Sequence, residues 1–307
     1  MAKLTELLIW SPAIEPTVAR ITVVASCEEP VEGMRLQGSL QGPTCTYAKT
    51  IEGETALVPQ PVTAGIEGEG AVQAEAKVME PCLWEPEHPF LYQMQIELCH
   101  GEKKLDAQSL SMGIRHLACG EQGLRLNGKG TTLSAARIPE ADLADESSFR
   151  SWREAGCQAV VVEHVSSDLL GWADRWGVFV LVRLGKGATG LQQTDDGESI
   201  STWRLHPSVA MWLVDHEESI DAVRRRDPFR PITLMGSVGD LPEQSTADLH
   251  AVIGSHRDVV AVAERGSKPL LAWLDEGEAP NADAFSNVVA QRLKELAEVP
   301  HLAGIVV

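Results

Sequence analysis

The chain has 307 residues, enough for one large or two ordinary domains, and its apolar content of 44% suffices for packed cores. Its 44 acidic and 26 basic residues give a formal net charge of −18, which argues against partners such as nucleic acid or an anionic membrane. No apolar run reaches the ~18 residues of a transmembrane helix, and we detect no secretory signal at the N-terminus, so a cytoplasmic protein is expected.

Apolar and polar residues alternate with a period of two in the first part of the chain, residues 1–116. Clear examples are residues 34–40, 72–78 and 90–98, and breaks rich in glycine, proline and acidic residues separate them. This alternation is typical of half-buried antiparallel strands. Several short strands at such spacing predict a β-sandwich.

Six cysteines occur, and their spacing matches neither a Cys-x-x-Cys motif nor a zinc site. They are Cys27, Cys45, Cys82, Cys99, Cys119 and Cys157. We therefore expect no metal and no cofactor. Buried, reduced thiols are the expectation, and a structural disulfide is the alternative.

The pattern changes in residues 117–307, where short apolar runs alternate with helix-like stretches. The candidate strands are 123–126 or 131–133, 159–162, 178–184, 209–214, 231–235, 249–253, 269–273 and 302–307. The candidate helices include 145–155, 167–176, 219–226 and 282–299. Alternation of strands and helices predicts parallel βαβ units. Eight strands predict a compact (β/α)8 barrel, although no eighth helix follows the last strand.

The segment 205–217, with the sequence LHPSVAMWLVDHE, predicts a buried strand at 209–214 that ends in ionisable residues. Barrel enzymes keep their chemistry at the C-terminal ends of such strands. The segment resembles the acid/base segment of glycoside hydrolase family 2, the β-galactosidase and β-glucuronidase family, whose pattern is His-Pro-Ser-(Val/Ile)-x-x-Trp-x-x-x-Asn-Glu. Matching residues are His206, Pro207, Ser208, Val209, Trp212 and Glu217, while His216 replaces the Asn.

Three further regions resemble motifs of the same family and occur in the same order. Leu83, Trp84, Pro86, Pro89, Leu91 and Tyr92, followed by Gly113, Ile114 and Arg115, match the end of the family's sandwich. Leu126, Asn127, Gly128 and Lys129 match its barrel entry, and Gly156, Val160 and His164 match its second strand. The resemblance implies an immunoglobulin-like sandwich over residues 1–116 and a TIM-like barrel over residues 117–307.

Two carboxyl groups flank the scissile bond in a glycosidase. The resemblance implies Glu217 as acid/base and Asp275 or Glu276 as a displaced nucleophile, because strict spacing puts Leu274 at the nucleophile position. It also implies that His164, Trp212, His216 and Trp273 contact the sugar. All but His216 have a plainer alternative: Glu217 as a helix-start acid, Asp275 and Glu276 in a solvated loop, His164 as a strand-end histidine, and the two tryptophans as barrel packing.

The departures from the family patterns cluster where the chemistry takes place. Pro139 and Glu140 stand where the family has His-Glu, and Arg183 stands where its third strand ends in Glu. An arginine there is expected to pair with a carboxylate and hold it ionised, which opposes general acid catalysis.

Two functions from different classes remain open. The first is a catalytically degenerate family 2-like protein with a sugar-binding or assembly role, either as a homo-oligomer or in a larger assembly. The second is an active retaining β-glycosidase that hydrolyses O-glycosidic bonds with Glu217 as acid/base. A carbohydrate, either a β-glycoside or an oligosaccharide, is the expected partner in the sugar-binding and enzymatic cases.

Overall fold

The structure is a computed structural model that describes residues 2–15, 17–62, 70–143, 145–185, 199–266, 268–274 and 281–307. The chain divides into two compact units. Unit 1 comprises Met1–Arg115 and Ser201–Pro207, and unit 2 comprises His116–Ile200 and Ser208–Val307. None of the helices in the described part of the chain combines the length and the apolar character needed to span a membrane.

Unit 1 contains seven antiparallel strands in two layers. They are β1 (Lys3–Ile14), β2 (Val18–Glu28), β3 (Met34–Thr44), β4 (Gly53–Gln60), β5 (Val72–Met79), β6 (Leu91–His100) and β7 (Lys103–Met112). The strand order is β1-β2-β5-β4-β3-β6-β7. Strand β4 joins the layers, because its first half pairs with β3 and its last residues pair with β5. This architecture confirms the predicted sandwich.

The period-two pattern of unit 1 reflects burial between the layers. On β6, Tyr92, Met94, Ile96 and Leu98 are buried whereas Gln93 and Gln95 are exposed. The buried residues join Ile21, Leu36, Leu40 and other side chains from both layers in one core. Burial of such apolar surface is the main stabilising contribution to the sandwich.

The segment Ser201–Pro207 completes unit 1 although it is distant in sequence. A Cβ atom at Gly113 would lie 2.8 Å from side-chain atoms of Pro207 and Trp84, so only glycine fits there. Arg115 Nε donates to the carbonyl of Pro207. The buried Arg204 donates through Nη2 to Glu6 Oε1 at 3.0 Å and to the Leu7 carbonyl at 2.7 Å.

Unit 2 begins with a three-stranded antiparallel sheet formed by β8 (Leu117–Gly120), β9 (Gly123–Leu126) and β10 (Lys129–Thr131). Asn127 and Gly128 form the β9–β10 turn with φ values of 50° and 82°. Asn-Gly is favoured there because both positions need positive φ. Strand 123–126, one of two candidates for the first barrel strand, thus belongs to this small sheet.

Eight parallel strands form a closed barrel, which confirms the predicted fold. They are β11 (Leu133–Arg137), β12 (Ala159–Val162), β13 (Phe179–Leu184), β14 (Val209–Val214), β15 (Ile232–Gly236), β16 (Leu249–Gly254), β17 (Leu270–Leu274) and β18 (Leu302–Val306). Most of β11 was not predicted, because its residues Ser134, Ala135 and Ala136 are neither β-branched nor aromatic.

Helices connect most of the barrel strands. They are α1 (Glu146–Glu154), α2 (Ser167–Trp176), α3 (Ile200–Trp203), α4 (Ile220–Arg226), α5 (His256–Arg265) and α6 (Ala282–Glu295), with 3-10 turns at Glu140–Leu143 and Glu217–Ser219. Side chains of Asp145, Ser166, Ser255 and Asn281 cap α1, α2, α5 and α6. Residues 237–248 connect β15 to β16 without a helix.

Register identifies the two faces of the barrel wall, because paired residues of parallel strands share a face. One face carries Arg137, Val161, Leu181, Met211, Thr233, Leu249 and Trp273. The other carries Trp212, Ile232, Leu234, His250 and Leu270. Trp212 bonds to Asp227, the residue after α4, so its face is the helix-facing one and the first face lines the interior.

All six cysteines are free thiols in the structure. Cys27, Cys99 and Cys157 are buried, and the other three are partly buried. Burial raises the pKa of Cys157 to about 12, so this thiol is inert at neutral pH.

Candidate functional site at the barrel mouth

An arginine bridges two carboxylates at the C-terminal ends of neighbouring strands. Arg183 on β13 donates through Nη1 to Glu163 Oε1 at 2.9 Å and through Nη2 to Asp215 Oδ1 at 3.2 Å. Glu163 follows β12 and Asp215 follows β14, so the bridge crosses three adjacent strands. The prediction that Arg183 pairs with a carboxylate is therefore confirmed. Among the residues described, the buried Nε of Arg183 has no hydrogen-bond partner.

A second arginine lies over an aromatic ring on the interior face. The guanidinium carbon of Arg137 lies 5.8 Å from the centroid of Trp273. Arg137 Nη2 also donates to the carbonyl of Leu274 at 3.4 Å. A cation close to a tryptophan face is an attractive contact. Trp273 is only 6% exposed, so little of its ring is open to a ligand.

Sequence reasoning did not single out Arg137 or Glu163, although a simple rule would have found them. Both residues stand at or directly after the C-terminal end of a barrel strand, where side chains meet at one face of the barrel. Arg137 was missed because its strand was missed, and Glu163 was missed because the family pattern drew attention to the neighbouring His164.

Glu217 is the residue that the resemblance implies as acid/base, and its carboxylate accepts three hydrogen bonds. Oε2 accepts from Ser245 Oγ at 2.7 Å, and Oε1 accepts from Thr246 N at 2.7 Å and Thr246 Oγ1 at 3.1 Å. Burial alone would raise the pKa of Glu217, but these bonds and the nearby His250 outweigh it, and the pKa lies below its ordinary value. A general acid needs the opposite shift.

The remaining sugar-contact candidates divide between the mouth and the helix layer. His164 and His216 are exposed, and His216 caps the 3-10 turn without a side-chain hydrogen bond to it. Trp212 is fully buried, and its Nε1 donates to Asp227 Oδ2 at 3.0 Å. Its ring therefore packs between strand and helix and is not available for stacking on a sugar, which corrects that prediction. The side chain points away from the interior because β14 alternates.

Asp275 and Glu276, the two candidates for a displaced nucleophile, lie outside the described residues. The role of either residue as nucleophile opposite Glu217 therefore stays a prediction. No group of three or more histidine, cysteine, aspartate or glutamate side chains arranged for a metal ion occurs in the described ranges.

Comparison with known proteins agrees with this architecture. The model for the family "Glycosyl hydrolases family 2" matches residues 35–115. A β-galactosidase of Yersinia enterocolitica is 24% identical over 195 residues, which are 52% of this chain and 19% of that protein. A β-galactosidase of Yersinia pestis bv. Antiqua is 24% identical over 199 residues, with 53% and 19% covered. The chain thus matches about a fifth of the length of these relatives.

Solved structures share the fold over almost the whole chain. A glycosyl hydrolase family 2 member from Bacteroides cellulosilyticus superposes with a TM-score of 0.71 at 21% identity, covering 98% of this chain and 45% of that one. The β-glucuronidase of Bacteroides uniformis gives a TM-score of 0.64 at 16% identity, with coverages of 98% and 45%.

A sandwich followed by a parallel (βα)8 barrel with polar residues at its C-terminal mouth is the fold that this chain shares with those solved structures. The family model matched over residues 35–115 and the β-galactosidases at 24% identity agree with that likeness. The chain is thus similar to glycosyl hydrolases of family 2, by the family model over residues 35–115 and by fold over almost its whole length.

Proposed function

We propose that this protein is a catalytically degenerate relative of family 2 glycosidases that binds carbohydrate at the mouth of its barrel without hydrolysing it. The state of Glu217 carries the proposal. Its two carboxylate oxygens accept three hydrogen bonds from Ser245 and Thr246, and its pKa is lowered. Such a carboxylate stays ionised near neutral pH, so it has no proton to give to a leaving glycosidic oxygen.

The charge of the Arg183 bridge supports the same conclusion. The resemblance implies a glutamate where Arg183 stands, so this substitution replaces an acceptor with a cation in the interior of the mouth. Both neighbouring carboxylates, Glu163 and Asp215, are engaged by that cation. The charge pattern of the mouth therefore differs from the one that the resemblance implies for an active glycosidase.

Carbohydrate binding is supported by the polar groups that converge at this mouth. The Arg183 side chain is 30% exposed, and its guanidinium group is a hydrogen-bond donor that a sugar hydroxyl can accept from. Glu163 and Asp215 offer acceptors for further hydroxyls. Convergent polar groups of this kind fix the orientation of small polar ligands.

The decisive experiment measures turnover and binding on the full chain. Wild-type protein is incubated with 4-methylumbelliferyl β-glycosides of galactose, glucose and glucuronic acid, and the corresponding free sugars are titrated by calorimetry. We expect binding without release of fluorophore, and loss of that binding in Arg183→Gln. Arg150→Gln, which breaks an exposed pair with Glu154, is the matched control and should bind normally.

Other outcomes distinguish the alternatives. Hydrolysis that disappears in Glu217→Gln would overturn the proposal and establish the active retaining β-glycosidase instead. Neither binding nor turnover, together with a stable oligomer in solution, would overturn sugar binding and favour an assembly role.

A further inference from the structure

A groove opens in unit 1 where two neighbouring strands of the sandwich diverge. Strand β4 pairs with β3 through residues 53–57 and with β5 only through residues 58–60. Residues 76–79 of β5 pair with β2 on one side, and within the described ranges no strand pairs with their other side. The groove lined by these two strand segments has a volume of about 620 Å³. Below we call it the β4–β5 groove.

The apolar side chains of the β4–β5 groove include two that are highly exposed. Leu40 and Tyr92, which are buried, belong to the core of the sandwich. Ile51 and Met79 line the same groove and are 95% and 69% exposed. They are the two most exposed large apolar side chains in the described part of the chain. Exposed apolar side chains gathered at one concave surface are typical of protein–protein contact sites.

The charged side chains of the groove are balanced in number, and all four are exposed. They are Lys49, Lys77, Glu54 and Glu80. The whole chain, in contrast, has 44 acidic and 26 basic residues. A surface with equal numbers of both signs can be complementary to a copy of itself, because the lysines of one copy can face the glutamates of the other. A strongly acidic or strongly basic partner would be repelled by half of these charges.

We propose that the β4–β5 groove is the contact surface of a homodimer, in which a second copy of this chain lies against it about a twofold axis. Ile51 and Met79 of both copies form the apolar centre, and lysine–glutamate pairs surround it, which is the common arrangement of a specific interface. Lys77 lies on the open edge of β5, where a lysine opposes indiscriminate strand pairing, so side chains make the contact. The inference goes beyond sugar binding and does not rest on it, because the groove is lined by residues of unit 1.

Sedimentation velocity of the full chain, run from about 1 to about 100 μM, tests the oligomeric state. The dimer is expected at twice the 33.2 kDa of one chain. Ile51→Asp places a charge in the apolar centre from both copies and is expected to raise the dimer Kd about a hundredfold or more. Val31→Asp is the matched control and should keep the wild-type Kd, since Val31 is an exposed apolar residue of unit 1 that does not line the groove.

Reversal of the charges tests whether the partner is a second copy of the chain. One variant changes both lysines to glutamate, Lys49→Glu with Lys77→Glu, and the other changes both glutamates to lysine, Glu54→Lys with Glu80→Lys. Each variant alone presents like charges to its own copy, so each is expected to be monomeric. An equimolar mixture is expected to restore the dimer, because the two altered surfaces are complementary. Circular dichroism checks that every variant is folded.

Three results would each overturn the inference. They are a wild-type chain at the monomer mass over the whole concentration range, a dimer that persists in folded Ile51→Asp, and charge-reversed variants that dimerise alone or fail to dimerise when mixed. A monomeric wild type would leave the groove to another protein or to a small ligand. Sugar calorimetry on the same samples is a separate result, since a dimer with or without sugar binding agrees with this inference.

Discussion

The helix-facing side of strand β14 and the barrel mouth just beyond its C-terminal end differ in burial and in how their charged groups are paired. On the helix side, Trp212 and Asp227 are fully buried, and Asp227 forms an ion pair with Arg230 at 3.0 Å. At the mouth, Asp215 continues the interior face and pairs with Arg183, which is 30% exposed. The helix side is a sealed scaffold, whereas the mouth is an open polar surface.

This difference explains which family-like residues are kept and which are changed. The matching residues hold packing positions: Trp212 anchors α4 to the barrel, and Gly113 and Pro207 are in close contact within unit 1. The changed position Arg183 lies at the mouth. This contrast is compatible with the proposal that the chain shares the fold of family 2 glycosidases and does not hydrolyse sugars, because a fold does not fix a function.

Asp227→Ala should produce the largest loss of stability. The substitution removes the acceptor of the Trp212 indole N–H and the carboxylate that pairs with Arg230. Removing one partner of a buried ion pair costs about 3–5 kcal/mol. Denaturant unfolding measures the change. The exposed Asp221→Ala on the same helix is the control and should lose little. An equal loss in both variants would contradict the contrast between the two faces.

The same carboxylate should make stability depend on acid pH. Burial by itself raises the pKa of Asp227, but Arg230 and donors from Phe229 and Trp212 outweigh it, so the pKa is lowered. A lowered pKa contributes stability above the unfolded value of about 3.9 and loses it as pH falls through the folded pKa. The free energies of unfolding of wild type and Asp227→Asn, measured by denaturant unfolding at a series of acid pH values, should therefore converge as the pH falls. A difference that stays constant over the whole pH range would refute this.

Trp212→Phe should cost about 1–3 kcal/mol, because it removes a buried hydrogen bond and leaves unfilled volume. Trp176→Phe is the matched control, since its Nε1 bonds to the partly exposed Glu146 at 2.9 Å. Thermal or urea unfolding of both variants gives the comparison. Loss of sugar binding in folded Trp212→Phe would show that this ring serves the mouth after all.

Glu217→Gln should cost about 1 kcal/mol at neutral pH, discounted because the carboxylate is partly exposed. The folded pKa of Glu217 is lowered, so its stabilisation exists above the unfolded value of about 4.3 and fades below it. Unfolding at pH 7 and at pH 3 tests this, with the exposed Glu218→Gln as control. A variant more stable than wild type at pH 7 would contradict the lowered pKa.

Arg183→Gln should change stability by about 1 kcal/mol, less than Asp227→Ala, because the side chains of its ion pairs are partly exposed, with 30% for Arg183 and 55% for Glu163. We expect its main effect on ligand binding, as a loss of affinity for the sugar. A stability loss as large as that of Asp227→Ala would erase the distinction between the sealed face and the open one.

Periodicity alone predicted the main features of the fold. Runs such as Val209–Val214 and the alternation around Tyr92 read directly as barrel and sandwich strands, because burial on two faces or one face dictates the pattern. Strand β11 was largely missed because small residues fill its positions. The grouping of Ser201–Pro207 with unit 1 depends on contacts distant in sequence, which no local pattern encodes.

The site was less predictable than the fold. Because side chains alternate along a strand, a carboxylate near a strand end can face either side of the barrel wall, and the sequence does not say which. The hydrogen bonds that Glu217 accepts from Ser245 and Thr246 join residues distant in sequence, so they could not be predicted either. Trp212 was ambiguous for the same reason, since a tryptophan suits both a sugar face and a core. Pairing of Arg183 was foreseeable from charge, but the choice of Glu163 and Asp215 required the strand register.

The distant piece of unit 1 has a consequence for dissecting this protein. A recombinant fragment that stops at Arg115 omits Arg204 and Pro207, so Glu6, the Leu7 carbonyl and the Arg115 guanidinium lose their partners. Such a fragment also lacks Pro207, which packs against Gly113. A synthetic peptide carrying residues 201–207, supplied in trans or fused through a glycine-rich linker, is what an autonomous sandwich requires.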